Sequence, residues 1–409
     1  MRRWAGLSLA LSLVACSSCF RDPSEAPIVI AHRGASGERP EHTLEAYRLA
    51  IEQGADFIEV DLVATRDGQL IARHENELSH TTDISSRPEF ADRRTRKRID
   101  GREVTGWFSE DLSLPEIKTL RAVERIPEAR PGNALYDGRF AIPTLGEIIA
   151  LLREVEARLG KRVGLYAEIK HATWFAKEGT QISGDPIARS LGRLLIARLS
   201  AAGLTDSSQV FIQSFEVAPL LELQRELLPE AGFDLPLVQL LGDLGDPTKP
   251  FNAPHDFRAA GVGIEPELAE CLAVEPEAPI GYADLVTSVG LSCMKQLYAE
   301  GIGPSKDTLM PRVAAAVPVD LDGDGEATIV WQQTGEVAAW LGEARALGLH
   351  VHPFTLRAEE RFRSLRADGQ PLSHSAEIQA LLAVGATGIF TDHPGDAVAA
   401  RDAFLRQGG

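Results

Sequence analysis

Short apolar, β-branched runs alternate with amphipathic segments through nearly the whole of this chain, and no other feature narrows its fold so far. Such runs read as strands buried on both faces, and strands separated by helices build a parallel sheet. Strands are expected at Ile28–Ala31, Phe57–Ala64, Gln69–Arg73, Val163–Ile169, Val210–Ser214, Leu237–Leu241, Asp284–Val289, His350–Thr355 and Gly388–Thr391. Helices are expected at Pro143–Leu159, Pro186–Ala202, Val217–Leu228, Glu336–Leu347, Ser375–Val384 and Gly395–Leu405. The pattern points to an α/β fold, a (β/α)8 TIM barrel, and 409 residues leave room for long loop insertions near 80–142, 242–282 and 306–329. A short helix start at Asp111–Ile117 gives the first insertion structure of its own.

The N-terminus reads as a targeting segment. Arg2 and Arg3 precede an apolar stretch from Trp4 to Ala15, too short to span a bilayer comfortably. Leu13-Val14-Ala15-Cys16 resembles a bacterial lipobox, so residues 1–15 are expected to be a signal peptide and Cys16 a lipidated anchor. Residues 16–26 would be a linker and 27–409 the barrel. Ser17 and Ser18 include no Asp, the default for outer-membrane sorting where there is such a membrane. The expected location is the cell envelope, with membrane contact only through the anchor; secretion with cleavage near Ala15 is the alternative. A net charge of -17 argues against a nucleic-acid partner, and the one basic run, Arg93–Arg98, reads as a solvated loop ahead of a membrane-surface or substrate-steering patch. Cys271 and Cys293 can pair in an oxidising compartment, although spacing alone does not fix their distance.

Chemistry concentrates where strands end. Glu59 and Asp61 alternate along one strand and so face the same way. Two neighbouring carboxylates need a reason, and a divalent cation supplies one. Glu168-Ile169-Lys170 closes another strand with a third carboxylate and a cation two residues apart. Glu59, Asp61 and Glu168 are the expected metal ligands, for Ca2+ ahead of Mg2+, and Arg33 and Lys170 suit phosphate charge. His32 and His74 also fall at strand ends and can exchange protons near neutrality. His42, His171, His255, His350, His374 and His393 read as structural or solvated, with His352 undecided.

His32-Arg33-Gly34-Ala35-Ser36-Gly37, Pro40-Glu41-His42-Thr43, Glu59-Val60-Asp61 and His74 together resemble the glycerophosphodiester phosphodiesterase family. The likeness continues through Tyr166–Lys170, Gln213-Ser214-Phe215, Gly301–Pro304, His352–Arg357 and Phe390-Thr391-Asp392. The long first insertion and His352-Pro353-Phe354-Thr355 look like the periplasmic, calcium-dependent branch. The resemblance implies a divalent ion on Glu59, Asp61 and Glu168, catalytic His32 and His74 as base and acid, and small-molecule glycerophosphodiesters as substrates. It also implies attack by the glycerol hydroxyl, then hydrolysis of a cyclic phosphate to glycerol 3-phosphate and an alcohol. His80 and His393 depart from the family pattern in segments near the leaving group. Alternatives are a lysophospholipase D-type activity and a surface lipoprotein that mainly binds a partner. Asp320-Leu321-Asp322-Gly323-Asp324 resembles the start of a calcium loop, but Trp331 stands where a bidentate Glu is needed.

Overall fold

The computed structural model of the chain describes residues 26–408, apart from Ala260, Asp322 and Asp324. The expected signal peptide and Cys16 lie outside the described residues. Eight parallel strands form a barrel: β1 (Ile28–Ala31), β2 (Phe57–Ala64), β3 (Gly164–Ile169), β4 (Val210–Ser214), β5 (Leu237–Leu240), β6 (Gly301–Gly303), β7 (His350–Val351) and β8 (Gly388–Thr391). Ladders join β8, β1, β2 and so on in sequence to β7. The circle closes where the Thr387 N–H donates to the Val351 carbonyl at 2.9 Å and the Phe390 N–H to Pro353 at 3.0 Å. No helix among the described residues is long and apolar enough to cross a membrane.

Two predicted strands differ. Asp284–Val289 is not extended: Tyr282–Leu285 is a helical turn, and a second helix, Ser288–Leu297, follows. Its apolar residues cover the sheet from outside, where a helix stripe and a short strand look alike in sequence. The sixth barrel strand is instead Gly301-Ile302-Gly303, too short and glycine-rich to register as one. The run at 69–73 does form a strand, Leu70–Ala72, but it pairs antiparallel with the end of β2 and is no stave of the barrel. Helix starts follow their caps: Thr144 with Glu147 opens Leu145–Leu159, and Ser190 delays the next helix to Leu191.

The insertions carry structure. Thr95–Ile99 and Arg102–Gly106 form a hairpin in the first, so the basic run is a strand rather than a loop. Its alternation buries Lys97 against Glu110 and Asp111, at 2.6 and 2.8 Å, and leaves Arg96 and Arg98 outside. In the second, the Pro266–Leu272 helix brings Cys271 to Cys293, and the two are disulfide-bonded. In the third, Arg312–Val319 pairs with Ile329–Gln333. Of the acidic loop between them, Asp320 accepts the Gly323 and Gly325 amides, while Asp322 and Asp324 are not among the described residues.

Alternation along the strands divides the core in two. The larger cluster lies between sheet and helices; a smaller one, Ile30, Phe57, Tyr166, Phe211, Val238 and Phe390, plugs the barrel interior. Tyr166 stacks on Phe211 with centroids 4.9 Å apart, and Phe57 and Phe390 meet Tyr166 edge-on. Room for the Phe57 ring comes from Gly164 on the next strand, where a Cβ would lie 2.1 Å from the ring. Gly164→Ala is therefore expected to lower stability by about 1–3 kcal/mol through overpacking, and a second change, Phe57→Leu, to recover part of it. Denaturant titration checks this; an unchanged midpoint for Gly164→Ala would contradict the packing described.

Candidate active site

Register carries the polar groups to one level above the aromatic plug. Asp61 pairs with Glu168 and Glu168 with Gln213, so three inward side chains from β2, β3 and β4 share a rung at the C-terminal end of the barrel. Glu59 lies one rung lower beside Tyr166. Ile30 pairs with Phe390, which puts His32 and Asp392, each two residues on, side by side. His32 Nδ1 and Asp392 Oδ1 lie 2.5 Å apart. Active sites of barrels form at this end, from strand ends and the loops after them.

Arg33 and His42 hold left-handed backbone, φ 59° and 55°, conformations that non-glycine residues rarely keep without reason. Between them Gly34 is held against the following helix, where a Cβ would lie 2.7 Å from the Ala46 carbonyl carbon. The turn aims the Arg33 N–H at Glu59 Oε2, 2.7 Å away, and its guanidinium at Glu41 (3.0 Å) and His32 Nε2 (3.2 Å). His42 lies fully buried between the Tyr47 hydroxyl at 2.7 Å and Asp61 Oδ2 at 2.8 Å. On the other side, His74 Nδ1 is 2.7 Å from Glu75 and Nε2 is 3.2 Å from Lys170 Nζ, which also reaches Glu168 at 2.9 Å.

Burial and mutual repulsion dominate the electrostatics. Burial, then Asp61 and Glu168, push Glu59 well above the usual carboxylate range. Glu168 is pushed up to about 8, first by burial; Lys170 opposes this and Asp61 reinforces it. Asp61 is likewise buried, yet Lys170, His74 and His42 hold it well below its ordinary value. Burial thus favours the neutral form of Glu59 and Glu168, whereas the cations around Asp61 favour its charged form. Burial and the neighbouring Arg33 lower His32 to about 3 and His74 to about 4.

Asp61 Oδ1 and Gln213 Oε1 are buried without a donor. One donor atom each of His42, Glu59 and Asp61 lies within 4.8 Å of the others. Orphaned oxygens among crowded carboxylates fit a divalent cation, which would replace the proton on Glu168. The group of His42, Glu59 and Asp61 has His42 where Glu168 was expected; Glu168 pairs with Asp61 on the next strand, and Arg33, Lys170, His32 and His74 lie at the same end of the barrel. A cleft of about 470 Å³ opens above, reached by His32, Arg33, Glu59, His74 and Glu168.

Other residues of the site were not singled out in the sequence. His42, read as structural or solvated, is buried against Asp61. Asp392 anchors His32 while taking Arg130 at 2.5 Å and Arg357 at 2.8 Å on its other oxygen. Its place at the end of β8 was a usable signal. Arg130 had none, because it comes from the first insertion.

A family model described as the glycerophosphoryl diester phosphodiesterase family matches residues 32–270. A Haemophilus influenzae protein named glycerophosphodiester phosphodiesterase is 30% identical over 415 residues, 95% of this chain and 96% of its own. One from Mycobacterium tuberculosis, named probable glycerophosphodiester phosphodiesterase 1, is 55% identical over 205 residues, 50% of this chain and 62% of its own. A crystal structure titled putative glycerophosphoryl diester phosphodiesterase from Silicibacter pomeroyi has the same fold, with TM-score 0.55 at 18% identity over 94% of this chain and 95% of its own.

The buried carboxyls yield a pH-dependent prediction. Glu168 titrates near 8 in the metal-free fold against an ordinary 4.5, so its neutral form stabilises that fold fully below the lower value and the contribution is lost as pH rises through the higher. A cation takes the proton's place, so the rise in Tm on adding Ca2+ should be larger at about pH 8.5 than at about pH 6. Scanning calorimetry reads it; an equal rise at both would contradict it.

Proposed function

The chain belongs to the glycerophosphoryl diester phosphodiesterase family, and from that premise we propose that it cleaves glycerophosphodiesters by a cation-dependent, two-histidine route. It is an enzyme, a glycerophosphodiester phosphodiesterase. The observation that supports the finer reading is the convergence of His32, His74, Glu59 and Glu168 on one cleft, with Asp61 paired to Glu168 across the strands beneath it.

Glu59, Asp61 and Glu168 would hold the ion, with Gln213 Oε1 and His42 beside them. Carboxylate and amide oxygens suit a hard cation, Ca2+ ahead of Mg2+ in this reading. When bound, the ion screens phosphate charge and polarises the P–O bonds. Arg33 and Lys170 take the remaining phosphate charge, Arg33 as a fork and Lys170 as a point charge. Asp392 fixes the His32 ring through Nδ1, and Nε2, which takes the Arg33 Nε–H at 3.2 Å, would accept the proton of the glycerol 2-hydroxyl as that oxygen attacks phosphorus and Arg33 turns to the phosphate. Burial and Arg33 keep His32 neutral, the form that can take a proton, and Asp392, which opposes them, steadies the imidazolium that then forms. His74, beside Glu75, would be the acid: the negative phosphodiester next to it offsets Arg33 and Lys170, which add to burial in lowering it in the free protein, so that it carries the proton that the departing alcohol oxygen takes. Water then opens the cyclic phosphate, with the histidine roles reversed, to give glycerol 3-phosphate.

Wild-type enzyme is expected to release glycerol 3-phosphate from glycerophosphocholine, to stop after chelation and to resume with Ca2+. Glu59→Ala and Asp61→Ala should lose both turnover and the ion, whereas His74→Ala should lose turnover by about 10²–10⁴-fold and keep the ion. Enzyme assay beside calorimetric Ca2+ titration separates these, and wild-type rates in His74→Ala would refute the assignment.

A lysophospholipase D-type substrate is favoured by one observation. The cleft reaches Trp331 beside the third insertion's hairpin, whose Val313, Val317 and Val330 are exposed. Competition between glycerophosphocholine and lysophosphatidylcholine distinguishes the two.

We further propose an envelope lipoprotein. The Leu13–Cys16 motif and the Cys271–Cys293 bond, which belongs in an oxidising compartment, support it. Mass spectrometry of the mature N-terminus should find a lipidated Cys16; an unmodified terminus at or beyond Cys16 would contradict it.

A further inference from the structure

Arg73 is the largest side chain that is fully buried among the described residues, and no step of the proposed route uses it. It follows the Leu70–Ala72 strand and immediately precedes His74. A charged group at such depth normally meets a carboxylate. Arg73 Nη1 instead donates to three carbonyls, those of Glu41, His42 and Ala72, each at 3.2 Å, and Nε and Nη2 have no partner. Burial lowers its pKa to about 10, with Glu41 opposing, so the guanidinium is still charged at neutral pH. A buried cation with two of its three nitrogens unmet destabilises the fold, which points to a task in the site rather than in packing.

Two of the three carbonyls belong to the turn that serves the carboxylates. His42 keeps left-handed backbone at φ 55°, and its N–H closes the loop after β1 by donating to the Arg33 carbonyl at 3.0 Å. From this turn His42 Nε2 reaches Asp61 Oδ2 at 2.8 Å, which leaves Oδ1 as the oxygen without a donor, and Glu41 reaches the Arg33 guanidinium at 3.0 Å. Left-handed backbone is costly for a residue with a Cβ, so the turn needs support from outside itself, and Arg73 grips it at both carbonyls. The main chain of Arg73 is tied to the same carboxylate residue from the other side, its N–H donating to the Asp61 carbonyl at 3.0 Å. One side chain thus joins the segment that carries His74 to the segment that orients Asp61 and Arg33.

We propose that Arg73 is a positioning residue: by holding the Glu41 and His42 carbonyls it fixes the turn that sets His42 on Asp61 and Glu41 on Arg33, and so keeps the Asp61 carboxylate turned to the cation and Arg33 set for the phosphate. Its side chain does not line the cleft, so its effect passes through His42 and Glu41. This rests on the reading that Asp61 is an ion ligand and Arg33 a phosphate contact.

Full-length Arg73→Met, which occupies similar space without donors, tests this through calorimetric Ca2+ titration, kcat/KM for glycerophosphocholine, and Tm. Ca2+ affinity and kcat/KM should each fall about tenfold or more, the size of effect that follows the loss of a group supporting a metal ligand. Arg73→Lys, whose ammonium offers three hydrogens to the same carbonyls, should recover most of both losses. In a His42→Ala background, Arg73→Met should weaken Ca2+ binding by less than about threefold further, because the contact it supports is already gone. Should Arg73→Met not fold, Arg73→Gln takes its place with the same expectations. Wild-type Ca2+ affinity and kcat/KM in Arg73→Met, a lowered Tm as the sole change, no recovery with Lys, or a cost that simply adds to that of His42→Ala would overturn the positioning role while leaving the cation-dependent phosphodiesterase reading intact. A wild-type enzyme that binds no Ca2+, or turns over equally without it, would overturn both.

Discussion

Three carboxylates from two neighbouring strands share the mouth of a barrel that is sealed below by aromatic rings, and nearly everything else in the site answers that crowding. Charged oxygens at such a depth are costly unless something positive lies among them. Arg33 and Lys170 neutralise part of the charge, His42 supports Asp61, and burial pushes Glu168 towards its neutral form. Asp61 Oδ1 and Gln213 Oε1 are still without donors. The same crowding that burdens the metal-free protein is what a divalent ion binds, and a phosphodiester carries charge of the sign such an ion attracts.

The barrel supplies the crowding and the insertions supply the direction. Parallel register brings His32, Glu59, Asp61, Glu168 and Asp392 to one end whatever the loops do. Arg130, from the first insertion, grips Asp392 and thereby steadies His32 from outside the barrel. Hairpin and loop residues of the first two insertions then shape the space beyond His74, while the third borders the opposite cleft at Arg312 and Trp331.

Much of this was legible in the sequence, for a physical reason. Strand side chains alternate with period two, so Glu59 and Asp61 had to face one way, and the apolar residues between them fixed which way. The long strands and the capped helices showed themselves by the same periodicities. What escaped was whatever lacked a period or came from afar. Gly301-Ile302-Gly303 is a barrel strand because its neighbours pair with it, not because of its own propensity. Lys97 is buried because Glu110 and Asp111 wait for it, which a run of basic residues cannot reveal. The partnership of Asp392 with His32 spans 360 positions and depends on the β1–β8 register.

The central claim is that these carboxylates form a cation site in which the ion displaces the proton and relieves the orphaned oxygens. A crystal structure grown with Ca2+, with anomalous scattering to identify the ion, tests it most directly. The account predicts one ion at about 2.3–2.6 Å from oxygens of Glu59, Asp61 and Glu168. Crystals soaked in excess Ca2+ that leave these three side chains free of the ion, with their contacts to Arg33, His42 and Lys170 unchanged, would contradict it.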